Sequence, residues 1–555
     1  MYFLYIYIIL FSSCSLYNTN VNKQDNPLIL KFNEVIDFKN INKGDITSAT
    51  KFYLKQADRI LNDIIIIPQN NYKQQPDYAM PPFYPDNIPD YNRTYENTLL
   101  KMDDFYNKVH TIWNIIGLLS SVHPNESIRK EADDNSLIIQ DYMIDVSFNR
   151  KLYHALKQYS KTKDALALNK SRALFLEGEL NDFMRSGIHL KEDKQQELKE
   201  IQTGLLEYST QFYNNIASVA DTMFIDDTMV DGLPETYLNQ RLLKNGLYGI
   251  DLSYPSVDGF LKYAKSDSLR KVLRIKYLNI ASDTNVEILD EIIRLRNNQA
   301  HILGYENYAS FILEESMAKT PENVWRFENS LIRSVTTKAI SDTQEITELK
   351  VKDTNNKYAI VYDWDKYYYE NMLLDTKYLV DSKKVQEYFE INNVINGFID
   401  ITGILFDITY KKINNPSVWH SDVLMYELYD KNSEELLGIF YMDLFPRENK
   451  YQGAAEYTLI SRKNIGETYQ GPMAALVCNF PKPFEDTPSL LPHDEVVTFF
   501  HEFGHLLHDL LSKTELMSQA GTSVTMDFVE APSQLLENFV WNKESLSLFA
   551  KHYKT

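Results

Sequence analysis

Cysteine, glycine and proline are all scarce in this sequence, at 2, 18 and 19 of 555 residues. The two cysteines, Cys14 and Cys478, allow at most one disulfide, so the fold must depend on a buried core. Lysine and arginine together number 57 against 77 aspartates and glutamates, which gives a formal net charge of −20. Because no basic stripe stands out, the composition predicts a large globular protein that does not bind nucleic acid.

Long apolar runs are also rare, and the one at the N-terminus, Phe3 to Phe11, ends in Ser12-Ser13-Cys14. An apolar run closed by small residues indicates a secretory signal. The cysteine resembles that of a bacterial lipoprotein signal, which predicts a signal peptide over 1–13 and a lipid on Cys14. The protein would then be exported and held at the membrane by this lipid alone, facing the periplasm or the cell exterior. An ordinary cleaved signal and an uncleaved anchor are the alternatives, although 13 helical residues span only about 20 Å.

Histidine is scarce as well, yet two of the 11 histidines, His501 and His505, form an H-E-x-x-H motif with Glu502. The apolar run from Val496 to Leu511 predicts a helix, on which residues four apart lie about 40° from each other. Two imidazoles on one helix face can chelate zinc, and Glu502 is placed to act as a general base. An ordinary helix carrying two histidines is the alternative. Gly504 favours the metal site, because a helical glycine costs about 1 kcal/mol and suggests that another backbone comes close.

A third ligand is sought further along the chain, and Glu530, 25 residues after His505, is the candidate. The sequence around it predicts a second helix, with Asp527 as N-cap and Pro532 near the first turn. Asp-x-x-Glu is also close to a capping box, so Glu530 can alternatively satisfy the start of its own helix.

The region from Asp494 to Thr555 resembles the thimet oligopeptidase and neurolysin family of zinc metallopeptidases. The resemblance is carried by H-E-F-G-H at 501–505, by D-F-V-E-A-P-S-Q at 527–534 and by L-E-N at 536–538. Patches of weaker resemblance begin near residue 94. The resemblance implies that His501, His505 and Glu530 bind one zinc ion and that Glu502 is the general base.

Residues 46–67 look helical, although the four isoleucines at 64–67 could also form a buried strand. Helical periodicity through much of 94–220 predicts long antiparallel helices. Short strands at 423–429, 438–443 and 474–480 predict a small sheet beside the zinc helix. We expect the strand at 474–480 to lie near the cleft, because zinc peptidases hold extended peptides by pairing with a sheet edge.

The resemblance implies a mainly α, two-lobed, zincin-like fold with a deep central channel. On this view residues 14–45 form a tether and N-terminal segment, 46–270 an N-terminal helical lobe and 271–555 the catalytic lobe. Cys478 is best interpreted as a small buried residue.

The implied function is that of a monomeric, zinc-dependent endopeptidase acting on short unstructured peptides. A dipeptidyl carboxypeptidase and a catalytically impaired, peptide-binding surface lipoprotein are the alternatives. The impaired, peptide-binding alternative arises because family members continue beyond the point matching Thr555. Their additional residues include tyrosine and histidine residues that stabilise the oxyanion. The sequence from Leu546 to Tyr553 also looks helical, so we expect a catalytic lobe that is incomplete at its C-terminus.

Overall fold

Helices dominate the computed structural model, which describes residues 26–67, 92–483 and 488–555. The mainly α fold predicted from the sequence is confirmed. The helices of the first part of the chain are α1 (Asp45–Ile65), α2 (Leu100–Val122), α3 (Glu126–Ser147), α4 (Arg150–Tyr159), α5 (Lys163–Leu166), α6 (Lys170–Arg185) and α7 (Glu192–Ser218).

The rest of the chain contains more helices and the small sheet. The helices are α8 (Glu235–Asn239), α9 (Tyr254–Tyr263), α10 (Asp267–Leu278), α11 (Ser282–Leu303), α12 (Tyr308–Leu313), α13 (Pro321–Thr354), α14 (Lys366–Thr376), α15 (Ser382–Val385), α16 (Ile391–Phe406), α17 (His493–Leu510), α18 (Met526–Glu537) and α19 (Lys543–Phe549). The strands are β1 (Thr222–Ile225), β2 (Tyr248–Asp251), β3 (Ile408–Lys412), β4 (Leu424–Asp430), β5 (Leu436–Asp443), β6 (Ala455–Ile460), β7 (Lys463–Ile465), β8 (Thr468–Gln470) and β9 (Met473–Val477).

Local signals set several helix boundaries. Thr94 and Asn97 form a reciprocal capping box at the turn that leads into α2. The chain turns between α6 and α7 at Gly187, whose φ of +85° suits glycine. Thr320 caps α13 by accepting from the N–H of Asn323, and Pro321 is the first residue of that helix.

The main sheet has the strand order β3-β4-β5-β9-β6, in which β5 and β9 run parallel and the other neighbours antiparallel. Strand β9 is therefore paired on both sides, whereas β6 forms one edge of the sheet and β3 the other. That the strand at 474–480 lies near the cleft stays a prediction.

Both faces of the central strands β5 and β9 are buried, and successive residues alternate between two cores. In β5, Ile439 and Tyr441 pack with the helices of the N-terminal part, α1 to α6. The intervening Phe440 and Met442 pack with α16 and α17 on the other face. The N-terminal helices and the helix carrying H-E-x-x-H thus lie on opposite faces of one sheet.

The remaining sequence expectations have mixed outcomes. The helix expected through Tyr553 ends at Phe549, and Lys551 then pairs with Phe389 in a parallel β-bridge. Cys478 is fully buried, as predicted, and burial holds the pKa of its thiol well above the ordinary value.

The proposed signal peptide over 1–13 and Cys14 lie outside the described residues. Among the described residues, no helix has the length and apolar character needed to cross a bilayer. The division into lobes at residue 270 stays a prediction.

Candidate metal centre

Helix α17 presents the H-E-x-x-H motif. Asp494 and Glu495 lie in its first turn, where negative charge favours a helix N-terminus. Its apolar residues, among them Phe499, Phe503 and Leu506, are buried against the sheet and α16. His501 and His505 project together from another face, with ring centroids 5.0 Å apart.

Gly504 lets α18 approach α17 closely. A Cβ on Gly504 would lie 2.5 Å from the Cα of Ser533 and 3.0 Å from the carbonyl oxygen of Pro532. The close backbone approach that the sequence predicted at this glycine is therefore present, and it brings Glu530 of α18 to the two histidines.

The start of α18 differs from its prediction. Thr525 occupies the N-cap position, and the carboxylate of Asp527 instead accepts from the main-chain N–H of Met317, 2.9 Å away. Pro532 lies in the second turn rather than the first. Glu530 does not cap its helix, because its side chain faces the histidines.

Three side chains converge on one point. Oε2 of Glu530 lies 3.2 Å from Nε2 of His501 and 3.1 Å from Nε2 of His505. One ligand atom from each residue lies within 4.8 Å of the other two. Two imidazole nitrogens and one carboxylate oxygen suit zinc and leave a coordination position open, so these residues fit the predicted metal.

Two further side chains orient these ligands. Oε1 of Glu537 lies 2.7 Å from Nδ1 of His501, so the carboxylate can accept the Nδ1 proton and leave the Nε2 lone pair for a metal. The Ser533 hydroxyl donates to Oε2 of Glu530 over 2.8 Å, and this bond holds the pKa of Glu530 below its ordinary value. Sequence reasoning assigned neither residue a role, although both follow Glu530 at helical spacing, three and seven residues on.

Glu502 lies beside the ligands and next to the edge strand β6. Burial raises its pKa, while the His501 ring and a hydrogen bond from the main-chain N–H of Glu456 oppose the shift. A carboxylate with a raised pKa accepts a proton more readily near neutral pH, which suits a general base.

Two more carboxyl groups are buried near Glu502. Burial raises the pKa of Asp509 to about 7, and the Thr458 hydroxyl opposes this only in part. Burial, together with the charges of Asp509 and Glu502, holds the pKa of Glu456 well above its ordinary value.

Asp509 makes stability depend on pH. Aspartate in an unfolded chain titrates near 3.9, so the folded chain holds an additional proton between roughly pH 4 and 7, and its unfolding free energy falls as pH rises through that window. Because asparagine cannot ionise, we expect Asp509→Asn to have a larger unfolding free energy than wild type. The difference between the two should grow by about 2 kcal/mol between about pH 5.5 and 8.5. Denaturant unfolding at both pH values measures the difference.

The control is Asp430→Asn. The Asp430 carboxylate accepts hydrogen bonds from the main-chain N–H and the hydroxyl of Ser433, and these bonds lower its pKa. Its replacement should bring no gain at alkaline pH. A gain for Asp509→Asn that is equal at both pH values would contradict the assignment.

Two family models match the chain. Residues 260–555 match the model described as peptidase family M3, and residues 88–195 match the N-terminal domain of neurolysin and thimet oligopeptidase. The chain belongs to peptidase family M3. It is a metallopeptidase, as the resemblance implied.

Individual M3 relatives are similar over most of the chain. A thimet-like oligopeptidase from Dictyostelium discoideum is 34% identical over 84% of this chain and 72% of its own length. Saccharolysin from Saccharomyces cerevisiae is 32% identical over 81% of this chain and 66% of its own. Oligopeptidase A from Escherichia coli is 31% identical over 83% of this chain and 70% of its own. The chain thus spans about two thirds to three quarters of each relative.

Proposed function

We propose that this M3 peptidase is a zinc-dependent endopeptidase of short, unstructured peptides. The observation that carries the proposal is the convergence of His501, His505 and Glu530 beside a half-buried Glu502. His501 and His505 would bind zinc through Nε2 and Glu530 through a carboxylate oxygen. Bound zinc would supply a Lewis acid that acidifies water and polarises the peptide carbonyl.

The protein's own groups would move the proton. Glu502 would take it from the attacking water as the oxygen–carbon bond forms, and pass it to the amine nitrogen as the carbon–nitrogen bond breaks. Glu537 would keep the proton of His501 on Nδ1 throughout. No side-chain nucleophile is required.

The edge strand β6 supports the choice of substrate. It is paired with β9 on one side only and lies against α17. An extended peptide can add to such an edge through main-chain hydrogen bonds, which requires an unfolded substrate. We propose that β6 aligns the scissile bond with Glu502.

Metal removal tests the proposal. A chelator should abolish cleavage of a short unstructured peptide, and one equivalent of zinc should restore it, with the cut inside the peptide. Release of C-terminal dipeptides alone would favour a dipeptidyl carboxypeptidase. Peptide binding with one zinc but without hydrolysis would favour the impaired, peptide-binding alternative.

Export, a lipid on Cys14 and a monomeric state also remain proposals. The first two rest on the N-terminal sequence, and the mass of the mature N-terminal peptide tests them. The elution volume on gel filtration with light scattering tests the third.

A further inference from the structure

The segment 511–525 connects α17 to α18, and therefore His505 to Glu530. We call it the ligand linker. Its conformation decides where the third metal ligand lies relative to the first two. Two charged side chains of the N-terminal helices anchor it, and the side-chain amide of Gln519 also donates to the main-chain carbonyl of Ser171 in α6, at 2.9 Å.

Asp103 of α2 is the first anchor. Its fully buried carboxylate accepts from the main-chain N–H groups of Met517, at 3.1 Å, and Ser518, at 2.9 Å, and from the Ser518 hydroxyl, at 2.7 Å. The buried ammonium of Lys463 forms an ion pair with the same carboxylate. One side chain thus satisfies two consecutive backbone donors of the ligand linker and is itself neutralised.

Arg172 of α6 is the second anchor. Its guanidinium binds Glu515 through two bonds, Nη2 to Oε1 at 2.6 Å and Nε to Oε2 at 3.0 Å. The Tyr95 hydroxyl donates to Oε1 of Glu515 over 2.8 Å, and the Arg172 guanidinium stacks on the Tyr95 ring, 3.8 Å from its centroid. The bond from Arg172 lowers the pKa of Glu515. Planar, bidentate geometry fixes orientation as well as distance.

Apolar packing adds to these anchors. Leu516, Met517 and Ala520 of the ligand linker are buried, and Leu516 belongs to the core formed by the N-terminal helices. The middle of the ligand linker is therefore fixed to α2 and α6. These helices pack on one face of the sheet, and α17 packs on the other.

We propose that α2 and α6 act as a clamp on the ligand linker that sets the affinity of the metal centre, with Asp103 and Arg172 as positioning residues for Glu530. The inference rests on the proposed zinc function and extends it to residues more than 300 positions away in sequence. A ligand linker released from the clamp would have to be ordered when zinc binds, and that entropy cost would weaken binding.

The test measures zinc affinity of the full chain by competition with a chromophoric chelator. Arg172→Gln and Glu515→Gln should each raise the zinc dissociation constant by roughly threefold to tenfold, less than the loss seen when a direct partner of a ligand is removed. The double variant should be no weaker than the worse single variant, because both remove the same contact. Neither residue touches the metal ligands, so the effect must pass through the ligand linker.

The matched control is Arg274→Gln, which removes an arginine–aspartate pair between α10 and Asp363. It can lower the unfolding temperature but should leave zinc affinity unchanged, whereas a merely structural role for Arg172 would give both variants the same result. If Arg172→Gln and Glu515→Gln bind zinc with wild-type affinity, the proposed clamp is wrong but the proposed zinc function is unaffected. A wild-type chain that holds no zinc would overturn the proposed function as well.

Discussion

Replacing Glu502 by glutamine is expected to lower kcat for a short peptide by roughly a hundredfold to ten-thousandfold while zinc stays bound. Glutamine has nearly the size of glutamate and can still accept the hydrogen bond that the main-chain N–H of Glu456 donates to this side chain. It cannot accept and return a proton, so the step assigned to Glu502 is lost. Initial rates and bound zinc, measured on the same preparation, check both parts.

Glu495→Gln is the matched control, because Glu495 lies on α17 but seven residues earlier, near Asp494 and Asp258 rather than the ligands. Its kcat should stay within about twofold of wild type, as expected of a side chain outside the reaction. An unchanged kcat in Glu502→Gln would contradict the role of Glu502 as general base. Loss of zinc from this variant would show that Glu502 is needed for metal binding instead.

Gly504→Ala has the second-largest expected effect, on both metal binding and stability. The new methyl group would meet backbone atoms of Pro532 and Ser533, which cannot rotate away as a flexible side chain could. Helix α18 must then move outward and carry Glu530 away from the histidines. We expect zinc affinity to fall by about tenfold to a hundredfold and the unfolding free energy by about 1–3 kcal/mol.

Gly178→Ala provides the control, because Gly178 is inside helix α6 and a Cβ there meets nothing within 4 Å. Alanine should stabilise that helix by up to about 1 kcal/mol and leave zinc affinity unchanged. Titration with zinc and thermal unfolding of both variants test the contrast. Normal zinc binding by Gly504→Ala would show that the helices need not touch at this point.

The sequence predicted the parts of the centre that depend on local periodicity. His501, His505 and Glu502 follow from helical spacing, and the cost of a helical glycine predicted the close approach at Gly504. The local pattern around Glu530 also suited a capping box, so its assignment as a ligand came from the family resemblance. In the fold its side chain lies beside the two histidines, which favours the ligand interpretation.

The parts that failed or were missed depend on contacts distant in sequence. Asp527 has the right chemistry for an N-cap, but the N–H of Met317, 210 residues earlier, takes its carboxylate. The pairing that makes β6 one edge of the sheet joins strands whose order no local pattern specifies. Asp103 and Arg172 were missed for the same reason: on a helix, each looks like an ordinary solvated charge.

The two-faced sheet has a consequence for how this protein can be divided. The match to the M3 model begins at residue 260, which makes 260–555 a tempting piece to express alone. That piece would uncover the sheet face where Ile439, Tyr441, Ala475 and Val477 now meet the N-terminal helices. An apolar sheet face that becomes exposed to solvent promotes aggregation. Residues 260–555 alone therefore lack the helices that cover one face of their sheet, and truncation studies should keep residues 26–218 attached.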